Sequence, residues 1–231
     1  MLVKEWMATK PITVEENTSI MKATQLMKEH GIRRIPVVRK NKLVGIVSDR
    51  DVKEAAPSKA TSLDVHELYY LLSEIKVKDI MTPDPITLRE NDSVEKAAVI
   101  MLENKISGLP VVNDKMQVTG IITQSDIFKV MIGITGIYRG PIQLGFDLED
   151  RPGALNDLLG VLGAHEARTV SISSCQEHGG PGRRQVYVRI RDMDDADLEK
   201  LVASLKKDFR VLYVLREDVS DIPRKTPKAS S

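Results

Sequence analysis

Apolar and polar positions recur in the same order in two parts of the chain. The first part ends in GIVSDRD at residues 45–51, and the second ends in GIITQSD at residues 120–126. Upstream, IPVV in the first part corresponds to LPVV in the second, and Met7 corresponds to Met81. Because the matches continue through the whole segment, with one extra residue in a turn of the second part, they indicate an internal duplication.

Each copy predicts the element order β-α-β-β-α. Runs of β-forming residues predict strands at PITV or PITL, at IPVV or LPVV, and at VGIVS or VTGIITQ. Asp92 followed by Glu95 resembles a capping pair at a helix start. Pro36 and Pro110 are expected at strand starts or sheet edges, because proline lacks the N–H of a ladder hydrogen bond. Apolar residues at helical spacing predict one helix face in each copy: Ile20, Ala23 and Met27, then Val94, Ala97 and Met101.

A hydroxyl and a carboxylate lie three residues apart where the last strand of each copy gives way to a helix. The pairs are Ser48 with Asp51 and Thr123 with Asp126. Unpaired N–H groups and the positive end of the helix dipole suit a phosphate, which the hydroxyl can also bind. The carboxylate suits the two hydroxyls of a ribose, so the pair favours a nucleotide. The alternative is that the hydroxyls only cap the helices and the aspartates only favour the dipole.

The two copies resemble CBS domains, and together they resemble a tandem CBS pair (a Bateman module). The resemblance covers residues 3–52 and 77–130 and rests on the motifs IPVV…GIVSDRD and LPVV…GIITQSD. It implies two β-α-β-β-α units, packed sheet to sheet about a pseudo-twofold axis. It also implies two clefts for an adenosyl ligand, namely AMP, ADP or ATP, and sometimes S-adenosylmethionine or NAD. By position, it implies ribose contacts from Asp51 and Asp126, phosphate contacts from Ser48 and Thr123, and adenine contacts from Thr13, Ile35, Pro36, Thr87, Leu109 and Pro110.

The two clefts are expected to differ in charge. Arg50 supplies a cation beside the phosphate position, whereas its counterpart is the short, uncharged Ser125. Arg34 likewise corresponds to Gly108. We therefore place these four residues in the ligand site, and we expect the cleft at Asp51 to prefer the more highly phosphorylated ligand. The alternative is that the arginines only coat a solvated face.

The chain after Pro141 has a different pattern. IQLGFDL and QVYVRIR alternate strictly, and together with VSISSC, FRVLYVL and two amphipathic helices they predict the ferredoxin-like order β-α-β-β-α-β. Pro152 is expected in the first turn of the first of these helices, and four leucines predict its apolar face: Leu155, Leu158, Leu159 and Leu162. With DRPGAL at its first strand-to-helix turn, this segment resembles an ACT domain. The resemblance implies side-by-side pairing through the sheets and a ligand or interface role for Asp150, Arg151, Pro152, Gly153, Ala154 and Leu155.

One departure from the ACT pattern bears on the ligand. ACT domains that bind amino acids commonly carry a Gly-hydrophobic-Asn triplet before the second strand, where this chain has Ala167-Arg168-Thr169. A dimerising or relay role is therefore favoured over an amino acid at the ACT interface. The order CBS, CBS, ACT is similar to that of acetoin utilisation proteins of the AcuB type.

The predicted organisation is an α+β chain of three domains. An apolar stripe of Leu68, Leu71, Leu72 and Ile75 predicts a helix between the copies, packed on the CBS pair or on another subunit. The predicted boundaries are CBS domains at 1–52 and 77–133, an ACT domain at 141–219, linkers at 53–76 (helical) and 134–140, and a flexible tail at 220–231.

The composition argues against several classes of protein. The net charge of +1 gives no electrostatic support for a nucleic-acid partner. Cys175 is the one cysteine, so no intrachain disulfide can form. No signal peptide or membrane-spanning stretch is evident, so we expect a cytoplasmic protein without a membrane partner. The four histidines are scattered, and no acid, base and nucleophile can be grouped, so we expect neither a metal site nor catalysis.

The sequence therefore predicts a non-catalytic regulatory sensor. An adenine nucleotide in the CBS clefts would shift the pair between two arrangements, and the ACT domain or a regulated metabolic enzyme would read the change. Acetoin metabolism or central carbon and energy metabolism is the expected setting. A homodimer is expected, because CBS pairs and ACT domains both tend to self-associate. The alternatives are a dimerisation scaffold without a ligand, and a binder of S-adenosylmethionine or NAD with an amino acid at the ACT interface.

Overall fold

The computed structural model describes residues 1–55, 73–177 and 179–223. The chain forms two compact units, residues 1–129 and 130–231. The helix predicted around Leu68, Leu71 and Leu72 lies outside the described residues, as does the end of the predicted tail.

The first unit contains both copies of the repeat, apart from the end of the last helix, which continues past residue 129. The first copy consists of β1 (Ala8–Thr9), β2 (Val14–Glu15), α1 (Ile20–Glu29), β3 (Arg34–Arg39), β4 (Lys42–Ser48) and α2 (Asp49–Ala55). The second copy consists of β5 (Thr82–Pro83), α3 (Val94–Glu103), β6 (Gly108–Val112), β7 (Val118–Thr123) and α4 (Gln124–Thr135). The strand predicted at PITV is displaced to β2, and PITL contributes only a single bridge from Leu88 to Val111. The short strands β1 and β5 were not predicted, whereas the helices and the other strands follow the predicted order.

The first strand of each copy joins the sheet of the other copy. β1 pairs with β7 in the sheet ordered β1-β7-β6, whereas β5 pairs with β4 in the sheet ordered β2-β3-β4-β5. Pro110 lies in β6, which is an edge strand of its sheet. Pro36 lies in β3 at a point where only β4 is paired with it, because β2 pairs with β3 only at Val37 and Val38. Both prolines therefore lie where no second strand needs their missing N–H, as predicted.

The apolar faces predicted for α1 and α3 are the buried faces. Every one of the six predicted residues has at most 6% of its surface exposed. In the first copy Ala23 and Met27 pack against Val14, Ile35 and Val47 from the sheet and against Val77 from the start of the second copy. Burial of one stripe on each helix is what holds the helices on the sheets.

Serine, not aspartate, caps these helices. The N–H of Lys22 donates to Ser19 Oγ over 3.3 Å, and the N–H of Lys96 donates to Ser93 Oγ over 3.1 Å. The predicted capping pair of Asp92 and Glu95 is wrong, because Asp92 accepts from the N–H of Arg89, one turn earlier. The repeat therefore preserves the cap as well as the apolar face.

Replacing Ser93 with alanine is expected to lower the free energy of unfolding by about 1 kcal/mol, because a helix N–H then loses its acceptor. Urea denaturation followed by circular dichroism measures the change. Ser19→Ala should give a similar loss in the first copy, and Glu95→Ala should change stability by less than half as much. A larger loss from Glu95→Ala than from Ser93→Ala would contradict the assignment of the cap.

The second unit has the predicted order β-α-β-β-α-β. Its elements are β8 (Ile142–Glu149), α5 (Ala154–Ala164), β9 (Thr169–Cys175), β10 (Arg183–Ile190), α6 (Asp195–Asp208) and β11 (Arg210–Arg216). All pairings are antiparallel, and the strand order is β11-β8-β10-β9. The alternating residues of β8 and β10 meet one face of each helix in a single core, whose fully buried members include Ile142, Leu144, Phe146, Val188, Leu158 and Leu201.

The turn before α5 differs in detail from the prediction. The helix begins at Ala154, so Pro152 lies before it and not in its first turn. Gly153 is the N-cap residue with φ of 89°, a left-handed backbone that glycine adopts without steric cost. Leu155 is 38% exposed, so it does not belong to the core face that Leu158 and Leu162 form.

Candidate functional site

A cleft of about 540 Å³ lies where the two copies meet in the first unit. The first copy contributes Arg34 at the start of β3 and residues from β4 and the start of α2. The second copy contributes residues from β5 and the segment after it, and from the end of α3 through β6. The exchange of first strands explains this composition, because it places β5 directly beside β4.

The lining of the cleft has an apolar part and a charged part. The apolar part is suited to the flat faces of an aromatic base and consists of Ile46, Pro85, Ile86, Ile106 and Pro110. The charged part carries both signs and consists of Arg34, Arg50, Lys105, Asp49, Asp51 and Asp84. A ligand with a base at one end and an anion at the other matches this division.

Ser48 and Asp51 are joined to each other inside the cleft. The backbone N–H and the hydroxyl of Ser48 both donate to Asp51 Oδ2, over 2.7 and 2.8 Å. The N–H of Asp51 in turn donates weakly to Ser48 Oγ over 3.4 Å. One carboxylate oxygen therefore fixes the strand-to-helix junction, and no described residue donates to Oδ1.

Thr123 and Asp126 repeat this arrangement in the second copy. The N–H and the hydroxyl of Thr123 donate to Asp126 Oδ2 over 3.0 and 2.7 Å. Burial opposes ionisation of Asp126, but hydrogen bonds from Lys129 and Thr123 outweigh it and keep the pKa of the carboxyl below its ordinary value. In both copies the hydroxyl and carboxylate pair thus stabilises the junction between strand and helix, and it is also a candidate ligand contact.

Two N–H groups at the start of α2 are already engaged within the protein. The N–H of Ser48 is paired with Asp51, and the N–H of Asp49 donates to the carbonyl of Arg33 over 2.9 Å. The junction therefore satisfies these two groups internally, and phosphate binding by the remaining backbone N–H groups stays a prediction. Side chains are therefore the main candidates for holding an anion in the cleft.

Arg34 is the side chain best placed for that task. It lies beside Ser48 across the β3–β4 ladder, and its Nη2 donates to Ser107 Oγ of the second copy over 2.5 Å. Its Nη1 is buried and has no hydrogen-bond acceptor among the described residues. Burial lowers the pKa of this guanidinium, and the charge of Asp49 partly opposes the shift. A buried donor without an acceptor is costly. An anion that supplied the missing acceptor to Arg34 would therefore be stabilised in the cleft.

Gly108 makes the position of Arg34 possible. A side chain at position 108 would overlap the guanidinium of Arg34, since a Cβ there would meet Nη1, Cδ and Cζ. Gly108 and Arg34 correspond in the repeat, so only one of the two equivalent positions carries the cation. The cleft is therefore asymmetric in charge at its centre.

The structure brings together six of the fourteen predicted nucleotide-site residues in this cleft. They are Arg34, Ser48, Arg50, Asp51, Gly108 and Pro110. Ile35 and Leu109 do not line it: both are fully buried, because alternation along the strand turns them towards the core. The cleft is also not lined by Thr13, Pro36, Thr87, Thr123, Ser125 or Asp126.

Sequence reasoning missed the half of the cleft that comes from the second copy's early segment. Thr82, Asp84, Pro85 and Ile86 lie in MTPDPIT, and Ser107 holds Arg34. The repeated Met, Pro and Ile-Thr of this segment mark it as part of the duplication. The exchange of strands that brings it to the first copy has no local signature.

The residues predicted at the ACT-like turn are tied to their neighbours in the second unit. Arg151 pairs with Glu149 over 3.2 Å and with Asp157 over 2.8 Å, and Asp150 pairs with Arg184 over 3.0 Å. Hydrogen bonds that Arg151 donates to Asp157 and Glu149 raise the pKa of Arg151. Arg151 and Ala154 line a cavity of about 240 Å³, which Asp150, Pro152, Gly153 and Leu155 do not reach.

Within residues 1–55, 73–177 and 179–223, no group of three or more His, Cys, Asp or Glu side chains is placed to hold a metal ion. Among the described helices, none is both long and apolar enough to cross a membrane.

Comparisons with known proteins cover the first part of the chain. The sequence model of the CBS domain matches residues 3–58 and 77–133. A CBS domain-containing protein of Dictyostelium discoideum is 31% identical over 134 residues, which cover 58% of this chain and 92% of that protein. The chain spans 23, 21 and 46% of the lengths of the first three curated relatives that it matches.

Solved structures are similar over the same region. An acetoin utilization protein (AcuB) from Vibrio cholerae is 29% identical, covers 60% of this chain and 95% of its own, and has a TM-score of 0.50. The CBS-pair protein CBSX2 of Arabidopsis thaliana, solved in complex with AMP, is 31% identical, covers 58% of this chain and 98% of its own, and has a TM-score of 0.48.

Proposed function

Since the chain belongs to the CBS domain family, we propose that it is a non-catalytic regulatory sensor that binds an adenine nucleotide (AMP, ADP or ATP) in the cleft beside Asp51. The observation that carries this proposal is Arg34, which lines a cleft with an apolar wall and whose buried Nη1 has no acceptor among the described residues. A phosphate would supply the missing acceptor, and charge-assisted hydrogen bonds are the stronger kind.

The proposed pose follows the two parts of the lining. The base lies between Ile46, Ile86 and Pro110, and the ribose hydroxyls donate to Asp51 Oδ1. The phosphate accepts from Arg34, and Arg50 and Lys105 are available for further phosphates. The preference of this cleft for ADP or ATP over AMP remains a proposal that depends on Arg50.

Isothermal titration of the full chain with AMP, ADP, ATP, adenosine, S-adenosylmethionine and NAD tests the function. We expect heat from the nucleotides and weaker binding of adenosine, which lacks the anion. A bound nucleotide at one hundred times its dissociation constant would also stabilise the fold by about 2.7 kcal/mol in a thermal-shift assay. No heat and no shift with any compound would favour the scaffold instead. Tightest binding of S-adenosylmethionine or NAD would redirect the proposal to that ligand.

We further propose that residues 141–219 act as an ACT domain that relays the state of the sensor. The order β-α-β-β-α-β, the antiparallel sheet and the glycine at the turn before α5 support this assignment. Arg151 is engaged by Glu149 and Asp157, and the Gly-hydrophobic-Asn triplet is lacking. These features favour the dimerising role over an amino-acid ligand.

The edge strand β11 supports a homodimer. Leu212–Leu215 are four consecutive apolar residues, each 37 to 40% exposed. Arg210 and Arg216 at the ends of the strand pair with Asp147 over 3.1 Å and Asp195 over 2.5 Å. Because these charges are engaged, they do little to keep a second strand away from the edge. RVLYVLR is also nearly symmetric about its centre, so antiparallel pairing of two copies places apolar residues opposite apolar residues.

Replacing Val214 with lysine is expected to weaken self-association at least tenfold, because a charge on an edge strand opposes pairing. Light scattering after size-exclusion chromatography over a range of concentrations measures the mass. Ser173→Lys places the same charge on the opposite edge strand β9, which is rich in serine, and should leave the mass unchanged. A wild-type chain that stays monomeric, or equal effects of both variants, would contradict the assignment.

The regulated partner is proposed to be a metabolic enzyme, in acetoin metabolism or in central carbon and energy metabolism. The resemblance of the domain order to AcuB-type proteins supports this setting. Affinity capture with and without the bound nucleotide, followed by reconstitution with the purified enzyme, tests it. A partner whose activity does not respond to the nucleotide-bound chain would count against the proposal.

A further inference from the structure

The two aspartates of the repeat differ in how many of their oxygens are occupied. In the second copy, Thr123 occupies Asp126 Oδ2, and Lys129 Nζ donates to Oδ1 over 2.9 Å. In the first copy, Ser48 occupies Asp51 Oδ2, and no described residue donates to Oδ1. A ligand hydroxyl therefore finds an open acceptor at Asp51 and an engaged one at Asp126.

One position of the repeat accounts for the difference. Lys129 follows Asp126 by three residues, a spacing at which side chains on a helix meet. The corresponding residue after Asp51 is Glu54, which is exposed, cannot donate and carries the same charge as Asp51. The first copy therefore lacks a counterpart of Lys129, the cation that pairs with Asp126 Oδ1 in the second copy.

We propose that Asp126 belongs to a second nucleotide site and that Lys129 makes it weaker than the site at Asp51, so that the site at Asp51 fills first. The inference rests on the proposed function, because it takes the ribose hydroxyls as the groups that compete with Lys129. Filling at Asp126 requires the Lys129 ion pair to open first. The sensor then responds to nucleotide in two steps at different concentrations.

The size of the effect is set by the exposure of the pair. The Lys129 side chain is 69% exposed and that of Asp126 is 13% exposed. Ion pairs with a solvated partner shift equilibria by about two- to fivefold. Lys129 therefore separates the two sites by a modest factor and does not abolish the second.

The test uses the symmetry of the repeat, with each site isolated by removing the aspartate of the other. AMP is titrated calorimetrically into Asp126→Ala, which reports the first site, and into Asp51→Ala, which reports the second. We expect the first site to bind AMP at least twofold more tightly than the second. Adding Lys129→Gln to Asp51→Ala should raise the affinity of the second site two- to fivefold. Adding Glu54→Lys to Asp126→Ala should lower the affinity of the first site by a similar factor.

The outcomes separate this inference from the proposed function. Binding of AMP with equal affinity at both sites, or weaker binding after Lys129→Gln, would overturn the role of Lys129 and leave the nucleotide function standing. An unchanged first site after Glu54→Lys would overturn it as well. Failure of the wild-type chain to bind any adenine nucleotide would overturn the proposed function, and this inference with it.

Discussion

Replacing Asp51 with alanine is expected to lower the affinity of its cleft for AMP by about a hundredfold. In the proposed pose, the carboxylate accepts two ribose hydroxyls, and hydrogen bonds to charged groups contribute about 1.5–3 kcal/mol each. Losing two of them exceeds the 1.4 kcal/mol that corresponds to a tenfold change in affinity. Calorimetric titration of AMP in the Asp126→Ala background measures the loss for this cleft alone.

A structural effect of the substitution must be separated from the loss of a contact. Asp51 also accepts from the N–H and the hydroxyl of Ser48, so its removal loosens the junction between β4 and α2. Asp51→Asn retains a side-chain oxygen for these bonds and serves as the matched control, with folding checked by circular dichroism. AMP affinity that survives Asp51→Ala would show that the ribose is held elsewhere.

Replacing Arg34 with methionine is expected to lower AMP affinity ten- to a hundredfold and to leave adenosine affinity nearly unchanged. The guanidinium is the proposed partner of the phosphate, and methionine fills similar space without a charge. The substitution should not destabilise the free protein, because it removes a buried Nη1 that has no acceptor among the described residues. Titration with both ligands and a thermal melt of the unliganded chain measure the two effects.

Arg33 provides the matched control, because it is the adjacent arginine, is exposed and does not line the cleft. Arg33→Met should change AMP affinity by less than a factor of three. Equal losses for AMP and adenosine in Arg34→Met would show that Arg34 shapes the cleft without binding the phosphate. Equal losses of AMP affinity in Arg34→Met and Arg33→Met would show that the affinity depends on net positive charge and not on a contact from Arg34.

The helix faces could be predicted because they depend on local spacing. Ile20, Ala23 and Met27 are buried as their period indicates, and the matched residues of the second copy repeat the result. The tandem CBS domains are confirmed by the match to the family over both copies. In the second unit, strict alternation in β8 and β10 predicted the sheet for the same reason.

The cleft could be predicted only in part, because its two halves are far apart in sequence. The motif that ends in Asp51 was recognisable as a repeated hydroxyl and carboxylate. The hydrogen bond from Arg34 to Ser107 and the contact of β5 with β4 depend on the exchange of strands between copies. No local pattern distinguishes a strand that stays in its own copy from one that joins the other.

Local competition explains the remaining differences. Ser93 precedes the first helical residue and captures an N–H, so Asp92 is displaced to the preceding turn. At the turn before α5, the left-handed backbone of Gly153 ends the loop, so the helix begins after it and excludes Pro152. In both cases two plausible residues are adjacent, and backbone geometry selects one of them.

A crystal structure of the full chain grown with AMP tests the central claim most directly. We predict AMP in the cleft of the first unit, with its phosphate within hydrogen-bond distance of Arg34 Nη1 and its ribose on Asp51 Oδ1. Crystals that contain AMP at saturating concentration, yet show this cleft without it and Arg34 still bonded only to Ser107, would contradict the account.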